Sequence, residues 1–498
     1  MDKRVVIIGS GLGGLACGYI LAKHGYNVSI FEKNGQLGGC LQTFRRAKVK
    51  FETGMHYIGS MDEGQVLWQF FRYLGLLPDV KLSALDSAAY DIISIAGKWY
   101  GYANGYEQFI DSMSQHFPAE RAALTRYWAT IREVAENSPL YSFRLPDSVT
   151  VLNPDFVKTC ASDFFDSVTT NPRLRQVLAG NLPLYAGVRG KTPLYIPAFI
   201  NDFYNKSAYR IVGGSDCIVR SLCRSITEMG GNIRSKSCVT RIKCANGKAH
   251  SIKLHTGEEI AADYVISGLH PARTVGLIEP QNQLRKIDRN RILGLENTIS
   301  NFTVYIRFKN DVEPYFNSNL YHYNRPDVWE GGNYNPDTWP DSFLYMHLCS
   351  KEEQKYADGA VLISYMNYEE VAQWENRPQG NRGDDYNAFK RRKAEKLLEE
   401  LEKQMPGTKA NISRYYTSTP LTYADYTGTE KGAMYGILRD CNKPLQIIVS
   451  QRTKIQNLYQ TGQNINSHGI LGVLVGALIT SGELLDLSAL IREMKALM

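Results

Sequence analysis

The sequence predicts an α/β fold in which a domain built on a parallel sheet is interrupted by mixed α+β segments. Three observations support this. An apolar run at 5–8 passes into a glycine-rich turn and a helical stretch, and strand-and-turn patterning returns near 210 and near 458. The 498 residues are too many for one ordinary core. We predict two domains that are each discontinuous in sequence. The first comprises 1–60, 205–290 and 448–498, and the second comprises 61–204 and 291–447.

The first predicted element is a βαβ unit. Residues 5–8 are wholly apolar, as is typical of a buried parallel strand. Gly9, Gly11 and Gly14 follow with the G-x-G-x-x-G spacing and begin a helical stretch. A second strand then ends at Glu32. This order of strand, glycines, helix and acid-ended strand distinguishes the unit from a chance match to the glycine spacing.

Each part of this unit has a physical reason. Gly9 allows a tight turn, Gly11 lets the backbone approach a pyrophosphate, and Gly14 lets the helix pack close to the sheet. The helix N-terminus presents unpaired N–H groups to the same diphosphate. Glu32 is placed to accept hydrogen bonds from an adenosine ribose. The unit therefore predicts a dinucleotide site.

The composition excludes several classes of protein. The net charge of +7 is a small excess, and no basic run alternates with aromatic residues, so nucleic acid is not a predicted partner. The nine cysteines are odd in number and never spaced C-x-x-C, which predicts a reducing compartment with neither a metal site nor a disulfide framework. With no signal peptide and no run of about 20 apolar residues, we expect a cytoplasmic protein. Peripheral contact with an anionic membrane stays open.

Two further glycine-containing segments follow the first unit. G-Q-L-G-G-C at 35–40 and F-E-T-G-M-H-Y at 51–57 indicate backbone packed against an extended ligand. Residues 60–204 are then helical in pattern and rich in aromatic residues. Core packing explains an apolar stripe at 66–74. The alternative, with Trp68 as an interfacial residue, is a face that touches lipid or gates a substrate tunnel.

The remaining chain alternates between strands and helices. A meander with hairpin turns is predicted at 233–254, followed by a buried strand at 262–267. Residues 291–447 form a second mixed segment that contains a polar loop at 324–342. Further strands are expected at 302–308 and 361–365, and helices at 119–136, 216–229 and 389–405.

The chain ends with a strand, a turn and an apolar helix. L-Y-Q-T-G-Q-N at 458–464 leads through S-H-G at 467–469 to a helix at 470–485. The helix N-terminus favours negative charge, such as the charge that a reduced flavin carries at its pyrimidine edge. The first unit suits an ADP moiety, and the turn at 38–39 suits a diphosphate. FAD fits all three segments, whereas NAD alone leaves the terminal segment unexplained.

These motifs resemble the FAD-dependent phytoene desaturase, carotenoid isomerase and retinol saturase family. The resemblance is carried by V-I-I-G-S-G-L-G-G-L (6–15), E-K-x-x-x-L-G-G (32–39), T-G-M-H-Y-I-G (53–59), G-G-S (213–215), G-G-N-I (230–233), A-D-Y-V-I-S (262–267), Y-T-G-T-x-x-G-x-x-Y-G (426–436) and L-Y-x-T-G-Q-N (458–464). It covers both ends and the middle of the chain, whereas the two long insertions match loosely. The G-Q-N and S-H-G segments are more similar to retinol saturases than to bacterial phytoene desaturases.

The resemblance implies a Rossmann-type FAD-binding domain of the glutathione-reductase type, with three layers in the order sheet, sheet and helices (ββα). It also implies an inserted mixed α+β substrate domain. Two departures from the family pattern stand out. Gln463 occupies a position where many relatives carry Asp, and Cys40 one where many carry a basic residue. The implied FAD-binding residues are Gly9, Gly11, Gly13, Gly14, Glu32, Lys33, Gly38 and Gly39 at the ADP and diphosphate, Val239 at the adenine, Met55 and His56 near the isoalloxazine, and Gly462, Gln463 and Gly469 at the ribityl chain and ring.

The implied activity is hydride transfer between flavin N5 and a carbon–carbon double bond of a conjugated isoprenoid, with retinol saturase-like reduction favoured. Desaturation and cis–trans isomerisation are the alternatives. Saturation also needs a proton, for which His56 and His468 are the candidate catalytic residues, with a structural role as the alternative for each. Aromatic residues that could line a polyene tunnel, or pack in the core, are Tyr185, Tyr195, Phe199 and Tyr204.

Two rival classes remain at this stage. An amine oxidase would use a similar scaffold, but Cys40 lies on the wrong turn for the covalent flavin of those enzymes. A prenyl-lipid carrier resembling Rab GDP-dissociation inhibitors would do no redox work, and the intact glycines with Glu32 argue against it.

A single dinucleotide fingerprint leaves the electron partner open between NAD(P)H, a quinone and oxygen. The oligomeric state and the particular polyene are also open.

Overall fold

The computed structural model describes residues 3–138, 140–141 and 154–497, without the side chains of 445 and 446. Residues 1–2, 139, 142–153 and 498 of the two predicted domains therefore lie outside the described residues. The strands are β1 (Arg4–Ile8), β2 (Asn27–Phe31), β3 (Thr43–Arg46), β4 (Val49–Glu52), β5 (Ile58–Gly59), β6 (Leu82–Ala84), β7 (Asp91–Ile95), β8 (Lys98–Tyr102), β9 (Ala208–Ile211), β10 (Asn232–Arg234), β11 (Val239–Ala245), β12 (Lys248–Leu254), β13 (Glu259–Ala261), β14 (Tyr264–Ser267), β15 (Ile278–Glu279), β16 (Ser300–Phe308), β17 (Asn319–Tyr323), β18 (Ser342–His347), β19 (Gly359–Met366), β20 (Ile412–Ser418) and β21 (Leu458–Gln460).

The helices connect these strands and cover their faces. They are α1 (Leu12–Lys23), α2 (Val66–Tyr73), α3 (Tyr106–His116), α4 (Arg121–Glu136), α5 (Pro154–Lys158), α6 (Ala161–Val168), α7 (Pro172–Leu178), α8 (Tyr195–Lys206), α9 (Asp216–Glu228), α10 (Pro271–Leu277), α11 (Lys286–Leu293), α12 (Asp384–Gln404), α13 (Thr408–Asn411), α14 (Pro420–Thr427), α15 (Pro444–Ile447), α16 (Gly469–Gly482) and α17 (Leu487–Ala496). None of these helices is long and apolar enough to cross a membrane.

The first and last segments of the chain meet in one parallel sheet. Its five strands have the order β10-β2-β1-β14-β21, and all four pairings are parallel. Val5 and Ile7 of β1 pack with α1, α9 and α16 on one face. Val6 and Ile8 pack on the other face against a second sheet, β13-β12-β11-β15. The alternation along β1 thus produces the three predicted layers, namely helices, parallel sheet and second sheet.

A seven-stranded sheet forms the other large part of the molecule, with the order β20-β16-β19-β18-β17-β7-β8. One face packs against α3, α4 and α8, and the other against α12. All of its strands come from the two segments predicted to be inserted. The fold class is therefore the predicted one, an α/β domain with inserted mixed α+β structure, while the domain boundaries themselves stay a prediction.

Two inserted segments differ from the sequence expectation. The polar loop at 324–342 buries Trp329 and Trp339, and the Trp339 indole N–H donates to the Tyr365 carbonyl at 2.7 Å. The aromatic residues of this segment therefore belong to the core. Helix α12 begins at Asp384 rather than at 389 because Gly383 ends the preceding loop and acidic residues in the first turn favour the helix N-terminus.

The apolar stripe at 66–74 is core structure. Helix α2 carries it, and Leu67, Phe70 and Phe71 are at most 2% exposed. They pack in the same cluster as α1 and α16. Core packing is therefore the correct explanation for these side chains, and a lipid-facing role for them is wrong.

Candidate functional site

One large cavity brings the predicted site residues together. Its volume, which includes solvent at the open mouth, is about 2090 Å³. The predicted residues that line it are Gly9, Gly11, Gly13, Gly14, Glu32, Lys33, Gly38, Gly39, Met55, His56, Val239, Gly462, Gln463, His468 and Gly469. All of the predicted FAD-binding residues and both candidate catalytic histidines therefore line one cavity.

The turn after β1 is shaped by its glycines. A Cβ on Gly14 would collide with the Gly9 carbonyl oxygen, so only glycine lets α1 begin this close to the strand. Gly9 has a φ of +94°, which other residues rarely adopt. A Cβ on Gly11, by contrast, would meet nothing within 4 Å. The open space lies where the spacing predicts a diphosphate, at the N-terminus of α1.

The second glycine turn closes over the first. The Gly38 N–H donates to the Ser10 carbonyl at 3.1 Å, and Gly38 forms an isolated parallel bridge with Gly11. A Cβ on Gly39 would lie 3.1 Å from Gly11 Cα. The two glycine segments therefore form one backbone-walled groove, as the sequence predicts for an extended ligand.

Glu32 ends β2 inside the cavity. One carboxylate oxygen accepts hydrogen bonds from the Ser10 N–H at 3.0 Å and the Ser10 hydroxyl at 2.9 Å, and the other accepts from the Asn34 N–H at 2.9 Å. Only the second oxygen, Oε1, retains acceptor capacity for a ligand hydroxyl, because a carboxylate oxygen has two lone pairs and this one accepts a single hydrogen bond. The three donors fix the side chain in place before a ligand binds.

The C-terminal segment lies directly against the opening glycine loop. A Cβ on Gly13 would lie 2.9 Å from the Gly462 backbone nitrogen, and the Thr461 N–H donates to Ser267 at 2.9 Å. Helix α16 begins at Gly469 in the cavity wall, where a Cβ would meet nothing within 4 Å. The two ends of the chain thus enclose a single groove that runs between two helix N-termini.

This groove fits FAD. A cradle that a Cβ would obstruct at Gly39, free space at Gly11 and Gly469, and a pre-oriented carboxylate at Glu32 are what a dinucleotide with a ring system requires. We call the groove around Gly9, Gly11, Gly14, Glu32 and Gly38 the glycine end.

The opposite end of the cavity has walls of aromatic and aliphatic side chains. The rings of Tyr57 and Tyr204 pack with centroids 4.4 Å apart. The hydroxyl of Tyr57 points away from the cavity, since it donates to the buried Asp91 at 3.0 Å. We call this region the aromatic end; its walls are Tyr57, Tyr204, Leu344, Met346, Ile363, Tyr423, Met434 and Tyr435, with His56 and His468.

The aromatic end is electrically neutral. Among the described residues that line the cavity, only Glu32 and Lys33 carry a fixed charge, and both lie at the glycine end. Burial lowers the pKa of His56 to about 4 and that of His468 to about 4. Both imidazoles are therefore neutral at pH 7, and neither holds the extra proton of an imidazolium ion.

The two histidines differ in their contacts. His468 packs on Tyr435 with ring centroids 4.5 Å apart, and its Nε2 lies 3.2 Å from the Leu184 carbonyl oxygen. An N–H at Nε2 satisfies that contact and leaves Nδ1 as an acceptor. The Nδ1 of His56 is buried without a hydrogen-bond partner. A catalytic role for either residue stays a prediction.

The expected tunnel residues divide between core and cavity. Tyr204 lines the cavity, whereas Tyr185, Tyr195 and Phe199 are buried in the core beside α4 and α8. The interpretation of these three as tunnel residues is therefore wrong. Lining residues that sequence reasoning missed are Leu344, Met346, Ile363 and Asn301. Their strands belong to the inserted seven-stranded sheet, and no local motif marks them. Asn464, at the end of the G-Q-N segment, also lines the cavity, although no role was predicted for it.

Fold and groove together define a flavin-dependent oxidoreductase. The family model for flavin containing amine oxidoreductases matches residues 12–482. The chain belongs to that family, and FAD is its cofactor.

Individual relatives give a more detailed picture. The chain is 27% identical to the all-trans-retinol 13,14-reductase of Rattus norvegicus, over 99% of this chain and 88% of the relative. It is 23% identical to the chloroplastic prolycopene isomerase of Daucus carota, over 95% and 78%. The structure of cyclohexylamine oxidase from Brevibacterium oxydans superposes with a TM-score of 0.61 at 14% identity, over 99% and 100%. That last likeness establishes the fold alone.

Proposed function

We propose that this protein uses FAD to reduce a carbon–carbon double bond of a conjugated isoprenoid. The observation that carries the proposal is the neutral aromatic end beside the FAD groove, where no described side chain offers a fixed charge to a polar substrate. An apolar polyene is the substrate class that such walls bind without leaving a charge unpaired. The similarity to a retinol reductase favours reduction over desaturation or isomerisation.

The residues of the chain would divide the work by position. Gly11 and Gly39 leave space for the diphosphate, Glu32 accepts from the ribose, and the α16 N-terminus stabilises negative charge at the flavin pyrimidine. When bound, FAD would supply the two-electron chemistry at the double bond. Tyr57 and Tyr204 orient the polyene by packing and exclude water from the reacting carbons.

The test is a comparison of substrates and products. Reduced and oxidised holoenzyme are each incubated with all-trans-retinol, phytoene and a poly-cis carotenoid. The products are then separated by chromatography and identified by mass spectrometry. We expect the reduced enzyme to convert retinol to a product that has gained two hydrogens. A change of geometry without a change of mass would instead favour isomerisation, and loss of two hydrogens by the oxidised enzyme would favour desaturation. If none of the three compounds changes in mass or geometry, the proposal is contradicted.

NAD(P)H is the electron donor we propose. A single dinucleotide fingerprint is present, so the donor would reach the flavin through the same open cavity mouth rather than a second site. Anaerobic mixing of the oxidised holoenzyme with NADPH or NADH should bleach the flavin absorbance. Bleaching by dithionite but by neither nucleotide would overturn this part.

We also propose peripheral contact with an anionic membrane, from which the substrate would be taken. The supporting patch lies on α11 and the segment beside it, not on α2. Ile287 is 72% exposed and Ile448 54% exposed, and Arg291 joins them by donating to the Ile448 carbonyl at 3.2 Å. Basic neighbours are Arg285, Lys286 and Arg289. Apolar tips among cations are typical of a membrane-surface site.

Vesicle binding tests this contact. The protein should sediment with vesicles that contain phosphatidylserine and less with pure phosphatidylcholine. Replacing both Ile287 and Ile448 by Asp should abolish the sedimentation, while Val312→Asp, at another exposed apolar residue, should not. Equal sedimentation of both variants would contradict the assignment.

A further inference from the structure

A second cavity lies beside the first and has a different character. Its volume, which includes solvent at its mouth, is about 810 Å³, and it is lined by the β3–β4 hairpin, β9 and the end of β18. His56 and Met346 line both cavities, so the two share a wall at the aromatic end. Nothing in the proposed reaction uses this second cavity.

The floor of the second cavity holds a buried cation. Arg210 of β9 is 2% exposed, its Nη2 donates to the Ser318 carbonyl at 2.9 Å, and its Nε has no hydrogen-bond partner. A buried guanidinium with an unused donor is costly, because such a charge is normally paired. The nearby carboxyl of Asp91 accepts hydrogen bonds from Tyr57 and from Asn319 at 2.8 Å, and burial raises its pKa to about 7 although the Arg210 charge opposes that rise.

The other groups on the floor are neutral. The Phe316 N–H donates to Nδ1 of His347 at 3.0 Å, which fixes the remaining proton on Nε2. Burial and the Arg210 charge lower the pKa of His347 to about 3 and that of His56 to about 4. The guanidinium is therefore the charge that a ligand would meet at the bottom.

The mouth of the cavity is also basic. Arg45 and Lys48 are exposed on the β3–β4 hairpin, and Lys50 behind them pairs with Asp216 at 2.8 Å. Two carboxyls share the lining. Glu52 is buried against Ser215, and burial raises its pKa to about 7; Asp358 is exposed at the rim. Cations thus stand at both the entrance and the floor, an arrangement that draws in and holds an anion.

We propose that this second cavity binds an oxyanion, a carboxylate or a phosphate, through the Arg210 guanidinium. Two sources share this chemistry. One is the anionic terminal group of an isoprenoid acid whose chain lies in the aromatic end, past His56 and Met346; this source rests on the proposed function. The other is a free anion that sits next to the cofactor site. A planar guanidinium suits both, because it donates two parallel hydrogen bonds.

The first experiment titrates the resting holoenzyme with acetate and with inorganic phosphate. Because His56 belongs to both cavities, we expect a saturable change in the flavin spectrum. Arg210→Gln should remove the response, and Arg210→Lys should weaken it by about tenfold, the value of a lost charge-assisted hydrogen bond. Since a buried substitution risks the fold, the paired surface change Arg45→Gln with Lys48→Gln provides a second test and should weaken binding about threefold. Its control is Arg241→Gln with Lys248→Gln, which should bind as the wild type does.

The second experiment identifies the source. Affinity is measured for all-trans-retinol and all-trans-retinoic acid, which share one polyene. If the substrate terminus occupies the cavity, the acid binds about tenfold more tightly, acetate competes with it, and Arg210→Gln removes the preference. If a free anion occupies it, the two polyenes bind equally while acetate or phosphate still saturates.

Absence of saturable anion binding together with equal affinity for acid and alcohol would overturn the inference. Neither titration requires turnover. Polyene reduction with no anion response and no preference for the acid would therefore remove only this inference, and an anion response with inert polyenes would remove only the proposed function.

Discussion

The glycine end and the aromatic end of the main cavity are built by different means. At the glycine end the walls are backbone, and the decisive feature is the missing Cβ of Gly11, Gly14 and Gly39. At the aromatic end the walls are side chains from strands far apart in sequence, such as Leu344 and Ile363. A backbone wall tolerates almost no substitution, whereas a side-chain wall can change its ligand without changing the fold. The following variants separate the two ends.

The largest effect is expected at Gly14. A Cβ there collides with the Gly9 carbonyl, which is backbone and has no room to move, so Gly14→Ala should cost both folding and flavin. The measurements are soluble yield and the flavin absorbance of purified protein. Gly276→Ala, where a Cβ meets nothing within 4 Å, is the control and should behave as the wild type. A yellow, stable Gly14→Ala protein would contradict the description of this turn.

Gly11→Ala should separate cofactor binding from folding. The backbone of Gly11 has a φ of −63°, and a Cβ meets nothing within 4 Å, so the apoprotein should keep its melting temperature. The methyl group would occupy the space proposed for the diphosphate, and affinity for FAD should fall by tenfold or more, about 1.4 kcal/mol. Fluorescence titration of apoprotein with FAD measures it. Unchanged affinity would place the diphosphate elsewhere.

Met434→Gln tests the opposite end. The substitution keeps the length of the side chain but adds an amide to the neutral wall, where a polyene leaves it without a partner. We expect KM for the polyene to rise several-fold, about 1 kcal/mol, with FAD affinity unchanged. A loss of flavin instead would show that the two ends are not independent.

The stability of the protein should depend on Glu52 in a pH-dependent way. Burial raises the pKa of its carboxyl from 4.5 to about 7, so the folded state holds the proton more tightly than the unfolded state. The free energy of unfolding should therefore fall as the pH rises from 4.5 to 7, by about 3 kcal/mol at most. Glu52→Gln should have the same melting temperature as the wild type near pH 4.5 and a higher melting temperature than the wild type at pH 8. Glu228→Gln, at a carboxylate 67% exposed, should show no such divergence.

The smallest effect concerns the histidines. Because the pKa of His56 and that of His468 are both about 4, neither should titrate between pH 6 and 8. The pH profile of kcat in this range should therefore be the same in the wild type and in His468→Gln, even if the variant is slower. An inflection near pH 6.5 that disappears in the variant would show an imidazolium at work.

The glycine end could be predicted from the sequence, whereas most of the aromatic end could not. The glycine spacing, Glu32 and the terminal glycine turn are local patterns that predict FAD, and the family resemblance carried by the matched segments predicts the three-layer fold; family, cofactor and fold are confirmed. The aromatic end depends on which strands pair across the seven-stranded sheet. Tyr185 and Tyr204 look alike in sequence, but only Tyr204 faces the cavity. Arg210 gives no signal at all, because an arginine in a strand is ordinarily exposed.

The most direct test of the account is an anaerobic half-reaction of the reduced holoenzyme with all-trans-retinol, followed by flavin absorbance and by mass. The account predicts that the flavin reoxidises in proportion to retinol that gains two hydrogens, and that cyclohexylamine does not reduce the oxidised enzyme. Rapid reduction by the amine, with no reaction of the polyene, would contradict it.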